Sequence, residues 1–170
     1  MGLFDFFTST RRPSATTPVL TAKDVRAKLL ALNRPTAPYH LIDGASEGVD
    51  LIAEWKIVDA KWFEIFAKAG LSKAFKIHLR IDESSHEVRA MDREIMIEWR
   101  AGVPNVSLAV SAFKGQQQSI EFGQANGFTE KLSTGQIYNY RFSTKELKQP
   151  IQTAVTDSGW TYKGVAFGKL

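Results

Sequence analysis

The segment from Gly44 to Gly48 reads Gly-Ala-Ser-Glu-Gly, which matches the G-x-S-x-G spacing of a serine nucleophile. That chemistry requires a strand before the serine and a helix after it, because the hydroxyl must be held at an exposed turn. Here the residues that follow, from Val49 onward, alternate as a strand does. We therefore interpret the segment as the turn of a β-hairpin, and we assign no catalytic residue.

The three histidines do not form a metal-binding pattern. His40, His78 and His86 share no helical face, and Glu87 is not followed by a second histidine at the spacing of a zinc-binding helix. Two acidic residues precede His86 in one loop, yet this spacing matches no metal-ligand motif. No nucleotide-binding glycine motif is present either. The sequence thus predicts no metal site and no cofactor.

Carboxylates are the candidates for general acid–base chemistry, which needs two of them close together. The acidic residues considered are Glu54, Glu64, Glu94 and Glu98. Each lies between basic residues or on the polar face of a predicted element, and Glu64 is spaced to pair with Lys68 one helical turn later. A small enzyme is an alternative only if two of these carboxylates converge in the fold.

Aromatic residues make up 11% of the chain, and two of them share one face of a strand predicted over 136–142. Bases would stack on such a pair in a single-strand nucleic-acid binder. Arg141 points to the opposite face, however, and aromatic residues at period 2 favour a buried face with hydroxyls near its rim. If the sheet holds a ligand, the predicted contact residues are Tyr138, Tyr140 and Trp99.

The N-terminus combines an apolar cluster with two arginines. Such an arm would dock in a partner groove or lie on an anionic membrane surface; the alternative is that it packs on its own domain. Phe6 stands where the myristoylation pattern needs serine or threonine, so lipidation is not expected. The residues predicted for a partner or membrane contact are Leu3, Phe4, Phe6, Phe7, Arg11 and Arg12.

The stretch Val49–Trp99 sets the fold class. Its apolar residues alternate over 49–57, follow a helical stripe over 59–69, and alternate again over 75–81. A loop at 82–85 predicts a hairpin in which Ile81 faces His86 and Arg80 faces Glu87. The apolar positions of the second strand then change parity, so we expect a bulge or turn near residues 92–93.

The other elements give an α+β protein. A helix begins at a Thr21 cap, a second one over 143–158 is interrupted by Pro150, and further strands follow a turn at 101–105. We predict a flexible arm and linker over 1–18 and one domain over 19–170. Its sheet is expected to be mostly antiparallel and strongly curved, or a partly closed barrel, with about 7–8 strands and 2–3 helices. The alternative is a tubby-like or other ligand-binding α+β barrel.

The formal charge of +4 is unevenly placed. Residues 1–34 hold six basic and two acidic residues, whereas residues 35–170 hold sixteen of each. A nucleic-acid binder shows a basic face on its folded body, so nucleic acid is an unfavoured partner. The chain has no cysteine, which excludes thiol chemistry and fits a reducing compartment. With no signal peptide visible, we expect a cytoplasmic protein.

These features rank three functions. The first is a non-enzymatic binding or interaction module that holds a small apolar ligand or a peptide on a concave sheet. The second is a small enzyme with a carboxylate acid–base pair. The third is a membrane-surface or scaffold protein that uses its N-terminal arm. The sequence assigns no ligand and no oligomeric state.

Overall fold

A computed structural model describes the chain at residues 3, 8–59, 62, 66–67, 72–108, 114–115, 128–131, 137–140, 144–166 and 170. Within these residues the helices are α1 (Ala22–Leu30) and α2 (Thr144–Thr156). The strands are β1 (Tyr39–Asp43), β2 (Leu51–Trp55), β3 (Lys73–Asp82), β4 (Glu87–Arg100), β5 (Val103–Leu108), β6 (Lys114–Gly115), β7 (Phe128–Lys131), β8 (Ile137–Tyr140) and β9 (Thr161–Gly164). In this described part, no helix is long and apolar enough to cross a membrane.

Strand β4 is the centre of the main sheet. Along one edge it pairs with β3, and along its other edge it pairs in succession with β9, β6 and β5. Strands β2 and β1 extend the sheet beyond β3. Every ladder is antiparallel except that between β4 and β9, which is parallel. Strands β7 and β8 form a separate two-stranded sheet.

This architecture confirms the α+β class and corrects its details. Six strands of four or more residues, with the two-residue β6, form an open mixed sheet in the described residues. The expected partly closed or tubby-like barrel is therefore wrong, because β1 and β5 do not pair with each other. Strand β9 enters beside β4 after a helix, and a helical connection permits the parallel pairing that a tight turn forbids.

Helix α1 begins where the sequence predicts. The Thr21 Oγ1 accepts a hydrogen bond from the Asp24 amide at 3.2 Å and donates one to the Asp24 carboxylate at 2.7 Å. This cap satisfies one of the free amides of the first turn. It fixes the start of a stripe, Val25 and Leu29, that is fully buried.

The helix predicted over 59–69 lies mostly outside the described residues. The Phe66 amide donates to the Trp62 carbonyl at 3.2 Å, and both side chains are buried. Trp55 contacts Phe66 and Phe75 edge-on, with ring centroids 6.4 and 6.5 Å apart. These four aromatic residues are therefore part of the core.

The predicted register of the β3–β4 hairpin is wrong by two residues. Ile81 lies opposite Val88, and Arg80 lies opposite Arg89. The loop occupies 83–86 instead of 82–85, because His86 takes a left-handed conformation with φ of 52° and closes the turn one residue later. A shift of two keeps every side chain on its predicted face, but it changes every cross-strand partner.

The bulge expected near residues 92–93 does not form on the β3 side. The β3–β4 ladder is unbroken from the pair Lys73–Met96 to the pair Asp82–Glu87. The parity change instead reflects burial of both faces of β4: Val88 and Ala90 on one, Ile95 and Ile97 on the other. A strand buried on both faces needs no interruption to carry apolar residues of either parity.

The helices cover one face of the sheet, and the main core lies between this face and the helices. Asp92 lies on this face, fully buried, and its carboxylate is 2.6 Å from the Nζ of Lys148 on α2. The Tyr162 ring is also fully buried there. The apolar side chains that fill this layer include Val25, Leu29, Leu51, Ala53, Ile77, Leu79, Val88, Ala90, Leu147, Ile151 and Val155.

Residues 8–11 lie against the outer edge of β9. The backbone of Arg11 exchanges two hydrogen bonds with Tyr162, at 2.8 and 2.9 Å. Thr10 accepts a hydrogen bond from the Gly164 amide at 3.2 Å, and the Gln152 side chain donates to the Ser9 carbonyl at 2.9 Å. In the structure, this part of the predicted arm is thus attached to β9 and α2.

The outer edge of β1 is covered by one side chain. The carboxamide of Asn33 accepts a hydrogen bond from the Leu41 amide at 2.6 Å and donates one to the Leu41 carbonyl at 2.7 Å. These are the two bonds that a neighbouring strand would make at this residue. Asn33 therefore takes the place of a strand partner at the middle of β1.

Two further expectations are corrected. The turn predicted over 101–105 is only two residues long, because Ala101 and Gly102 adopt φ of 51° and 77°, the conformation that a two-residue hairpin needs. Strand β5 accordingly starts at Val103 and includes Pro104. Helix α2 runs through Pro150 without a new start.

Candidate functional site

The face of the sheet opposite the helices carries a cluster of basic side chains, which we call the basic face. It consists of three residues of β3 and two of β4: Lys76, His78, Arg80, Arg89 and Arg93. The register places Lys76 opposite Arg93 and Arg80 opposite Arg89. His78 and Met91 form the row between these two pairs. The two rows of cations are about 13 Å apart, from the rise of a strand.

The basic face places like charges where a sheet normally avoids them. Residues directly opposite each other have Cβ atoms about 5 Å apart, and like charges at that distance are destabilising. On the other edge of β4, Arg89 lies beside Lys163 of β9, whose Nζ is 3.3 Å from the Glu87 carboxylate. Two like-charged pairs on one face are therefore a cost to the fold, which the Glu47 carboxylate offsets at Lys76.

The basic side chains of this face are partly withdrawn from water. Lys76 and His78 are 9% and 5% exposed, and Arg89 and Arg93 are half-buried. The Nε atoms of both arginines are buried and have no hydrogen-bond partner. Arg80 is exposed and donates to the Gly48 carbonyl. A half-buried guanidinium with a free donor is suited to bind an oxyanion.

One carboxylate reaches the basic face, from the 44–48 loop. One oxygen of Glu47 accepts from the Lys76 Nζ at 2.6 Å, and its other oxygen contacts the His78 Nε2 at 2.6 Å. The loop needs glycine at both ends: Gly48 has a φ of 73°, and a Cβ on Gly44 would lie 2.6 Å from the Val49 side chain. The loop thus places the Glu47 carboxylate against two hydrogen-bond donors, Lys76 and His78.

The protonation states of this cluster follow from burial and contact. Burial raises the pKa of Glu47, but hydrogen bonds and charge from Lys76 and His78 outweigh it, so the pKa is lowered overall. Burial lowers the pKa of His78, and the Glu47 carboxylate opposes this only in part. At neutral pH Glu47 is therefore charged, while His78 is neutral and donates from Nε2.

The predicted ligand residues are not brought to the basic face as a group. Tyr138 and Tyr140 lie on β8, opposite Glu130 and Phe128 of β7, in a sheet that shares no described ladder with β4. Trp99 is half-buried on β4 and packs against the core, on the same face of β4 as Arg93.

The predicted arm residues are placed only in part. Leu3 is 78% exposed. Arg11 and Arg12 are exposed, with the backbone of Arg11 bound to β9. Phe4, Phe6 and Phe7 lie outside the described residues, so their role as a partner or membrane contact stays a prediction.

The acid–base candidates do not converge in the described part of the chain. The Glu54 carboxylate on β2 is 3.1 Å from the Nε2 of His40 on β1. Glu98 is exposed and pairs with Arg100 at 3.2 Å, and Glu94 lies four residues earlier on β4. Glu64 lies outside the described residues. Among those that are described, no group of three or more potential ligands could hold a metal ion.

The G-x-S-x-G segment is a hairpin turn, as predicted. It connects β1 and β2, which pair antiparallel, and Ser46 is exposed in a 3₁₀ turn over Ala45–Glu47. The candidate site residue that sequence reasoning missed in this segment is Glu47, which contacts Lys76 and His78. The available signal was the alternation of Lys76, His78 and Arg80 on one strand with no acidic residue among them.

The relationships of the chain do not add to this picture. Comparisons with protein-family models, with curated proteins and with solved structures find no significant match. The chemistry of the basic face is accordingly the basis for a functional assignment.

Proposed function

We propose that this protein is a non-enzymatic binding module whose ligand carries a carboxylate or phosphate group, held on the basic face. The observation that carries the proposal is the pair of like-charged rows, Lys76 with Arg93 and Arg80 with Arg89. An oxyanion between or beside these side chains would neutralise the repulsion that remains after Glu47 binds Lys76.

The sheet offers less to a purely apolar ligand. One face of the sheet is covered by the helices: α1 lies against β1 and β3, and α2 lies against β9 and binds Asp92 of β4 through Lys148. The opposite face presents nitrogen donors near its centre. The sequence led us to expect a small apolar molecule or a peptide. We propose instead a small anionic molecule or an acidic peptide side chain, and the proposed compartment remains the cytoplasm.

An acid–base enzyme is not supported by a particular pair of groups. Two of the candidate carboxylates have a basic partner of their own: Glu54 is 3.1 Å from His40, and Glu98 is 3.2 Å from Arg100. The Glu47 carboxylate is charged and bound by two donors, whereas a general acid or base needs a pKa near the working pH. We therefore propose binding without catalysis.

The test is a thermal unfolding series with phosphate and citrate against chloride at equal ionic strength. A site filled at a hundred times its Kd stabilises a protein by about 2.7 kcal/mol, which corresponds to a rise in Tm of roughly 5–11 °C for a domain of this size. The double variant R89M/R93M keeps two long side chains but removes both charges. We expect it to abolish the response to either anion.

The same variant has a second signature. Without an anion, its Tm should rise by about 1–8 °C, because two repulsive pairs of about 0.2–1 kcal/mol each are removed. The matched control is R100M on the same strand, since the Arg100 side chain is 79% exposed; it should behave as the unchanged protein. A wild-type Tm that neither anion moves, or a double variant that responds as wild type does, would contradict the proposal.

A further inference from the structure

We infer that Glu47 is a tethered substitute for the ligand: its carboxylate occupies a subsite, formed by Lys76 and His78, that a carboxylate or phosphate group of the ligand takes by displacing it. This inference rests on the proposed function and adds to it a defined subsite and a built-in competitor. It also gives a role to the 44–48 loop, whose motif has no catalytic use here.

The contacts of Glu47 are those expected of a bound oxyanion. Each carboxylate oxygen has one donor at 2.6 Å, from Lys76 and from His78. Both donors are at least nine-tenths buried, so they require an acceptor, since an unsatisfied buried donor is costly. The carboxylate side chain itself is 33% exposed. The acceptor thus arrives from the solvent side, where a diffusing anion would also arrive.

The loop does not depend on the Glu47 side chain for its shape. The Gly44 amide donates to the Asp50 carbonyl at 3.1 Å, and the Gly48 amide donates to the Ala45 carbonyl at 3.1 Å. The Asp43 carboxylate accepts from the Ala45 amide at 2.9 Å. Because these bonds stay in place when Glu47 rotates away, displacement of its carboxylate does not require the loop to unfold.

The charges around the subsite favour an exchange of one anion for another. Lys76 and Arg93 are the cations that face His78, and Glu47 is the anion that approaches it from the loop. The remaining neighbours in its row, Ile52 and Met91, are apolar. With Glu47 displaced, two cations and a neutral imidazole donor face the site. A phosphate dianion matches that charge, and one carboxylate matches half of it.

The experiment measures inorganic phosphate binding to E47Q and to the unchanged protein. A competitor that holds the subsite closed nine-tenths of the time weakens binding tenfold, because apparent affinity scales with the open fraction. We therefore expect E47Q to bind phosphate about tenfold more tightly, measured by calorimetry. The control is E98Q, which removes an exposed carboxylate from the far end of β4 and should leave affinity unchanged.

A second readout follows the His78 imidazole by nuclear magnetic resonance. The Glu47 carboxylate raises the pKa of His78 against the effect of burial, so E47Q should lower that pKa further, and phosphate should raise it again. If E47Q does not fold, E47D replaces it, because its charge is kept while its reach is shortened. For E47D, tighter binding than wild type is the expected result.

Two results would overturn the inference. One is phosphate binding to E47Q, or to E47D where E47Q does not fold, that is no tighter than to wild type. The other is a His78 pKa in E47Q that phosphate does not raise. Failure of the proposed function is distinguishable: in that case R89M/R93M retains the full anion response, whatever E47Q does. If R89M/R93M loses the response and E47Q gains none, the basic face binds anions and Glu47 is a structural partner only.

Discussion

The buried ion pair between Asp92 and Lys148 allows a quantitative test of how α2 is held on the sheet. The two charged atoms are 2.6 Å apart, and the side chains are 0% and 6% exposed. Burial lowers the pKa of Lys148, and the charge and hydrogen bond of Asp92 oppose this. Both side chains are withdrawn from solvent, so removing one leaves the other charge buried without this ion pair.

The perturbation is K148M, which keeps a long apolar side chain and deletes the ammonium. Breaking a buried pair in this way costs about 3–5 kcal/mol, out of a total stability of about 5–15 kcal/mol. With a urea m-value of roughly 2 kcal/mol per molar, the midpoint of unfolding should fall by about 2 M. The matched control is K145M, on an exposed position of the same helix, which should change stability by no more than about 0.5 kcal/mol.

The double variant D92N/K148M distinguishes the cost of an unpaired buried charge from the cost of losing the ion pair. Neither charge of the pair remains in it, and an imperfectly satisfied amide costs only about 1–3 kcal/mol. We expect the double variant to be about 2 kcal/mol more stable than K148M alone. A cost below about 1 kcal/mol for K148M would refute the reasoning. So would a double variant whose cost equals the sum of the two single costs, because the two residues would then not be coupled.

Two other outcomes follow from the structure. The pKa of His78 is lowered from its ordinary 6.5, so on acidification the unfolded chain binds a proton before the folded protein does. The free energy of unfolding should therefore fall as the pH drops below about 6.5. In urea titrations H78Q should flatten this dependence between pH 7 and pH 5, and an unchanged slope would contradict the expectation. Gly159 and Gly102 both have a positive φ, of 74° and 77°. A Cβ added at Gly159 would lie 2.5 Å from the Pro18 carbonyl oxygen, whereas a Cβ added at Gly102 would meet no atom within 4 Å. G102A should therefore cost about 1–2 kcal/mol from its backbone conformation alone, and G159A should cost at least about 1 kcal/mol more in thermal unfolding; equal costs would count against the contact.

Local patterns predicted the parts of the fold that depend on neighbours in sequence. The alternation of Phe75, Ile77, Leu79 and Ile81 identified β3 and its buried face, and Thr21 marked the start of α1. These signals arise because burial and capping act within one turn or one strand. The prediction of a hairpin at 44–48 succeeded for the same reason.

The basic face could not be read from the sequence, although its residues are visible there. The predicted register placed Arg80 opposite Glu87 and so created a charge pair, whereas the true partner is Arg89. The error comes from one residue, His86, whose left-handed conformation moved the loop by one position. Summed charge over 35–170 is zero and hides a cluster that only the cross-strand register assembles.

The long-range polar contacts could not be predicted from the sequence either. Asp92 and Lys148 are far apart in the chain, and no periodicity relates a strand residue to its partner on a later helix. The attachment of residues 8–11 to β9 is of the same kind, because a Ser/Thr-rich composition predicts a linker while its backbone can still pair with an edge strand. Such pairings are decided by the assembled sheet.

The carboxamide of Asn33 has a consequence for how this protein meets other chains. A bare strand edge is a template on which a second extended chain can add, and repeated addition produces fibrils. In the described residues β1 pairs only with β2, so its far side would offer such a template. Asn33 occupies the outward amide and carbonyl of Leu41 with bonds of 2.6 and 2.7 Å. An incoming chain must first displace both, and one side chain thereby protects the sheet from self-assembly at this edge.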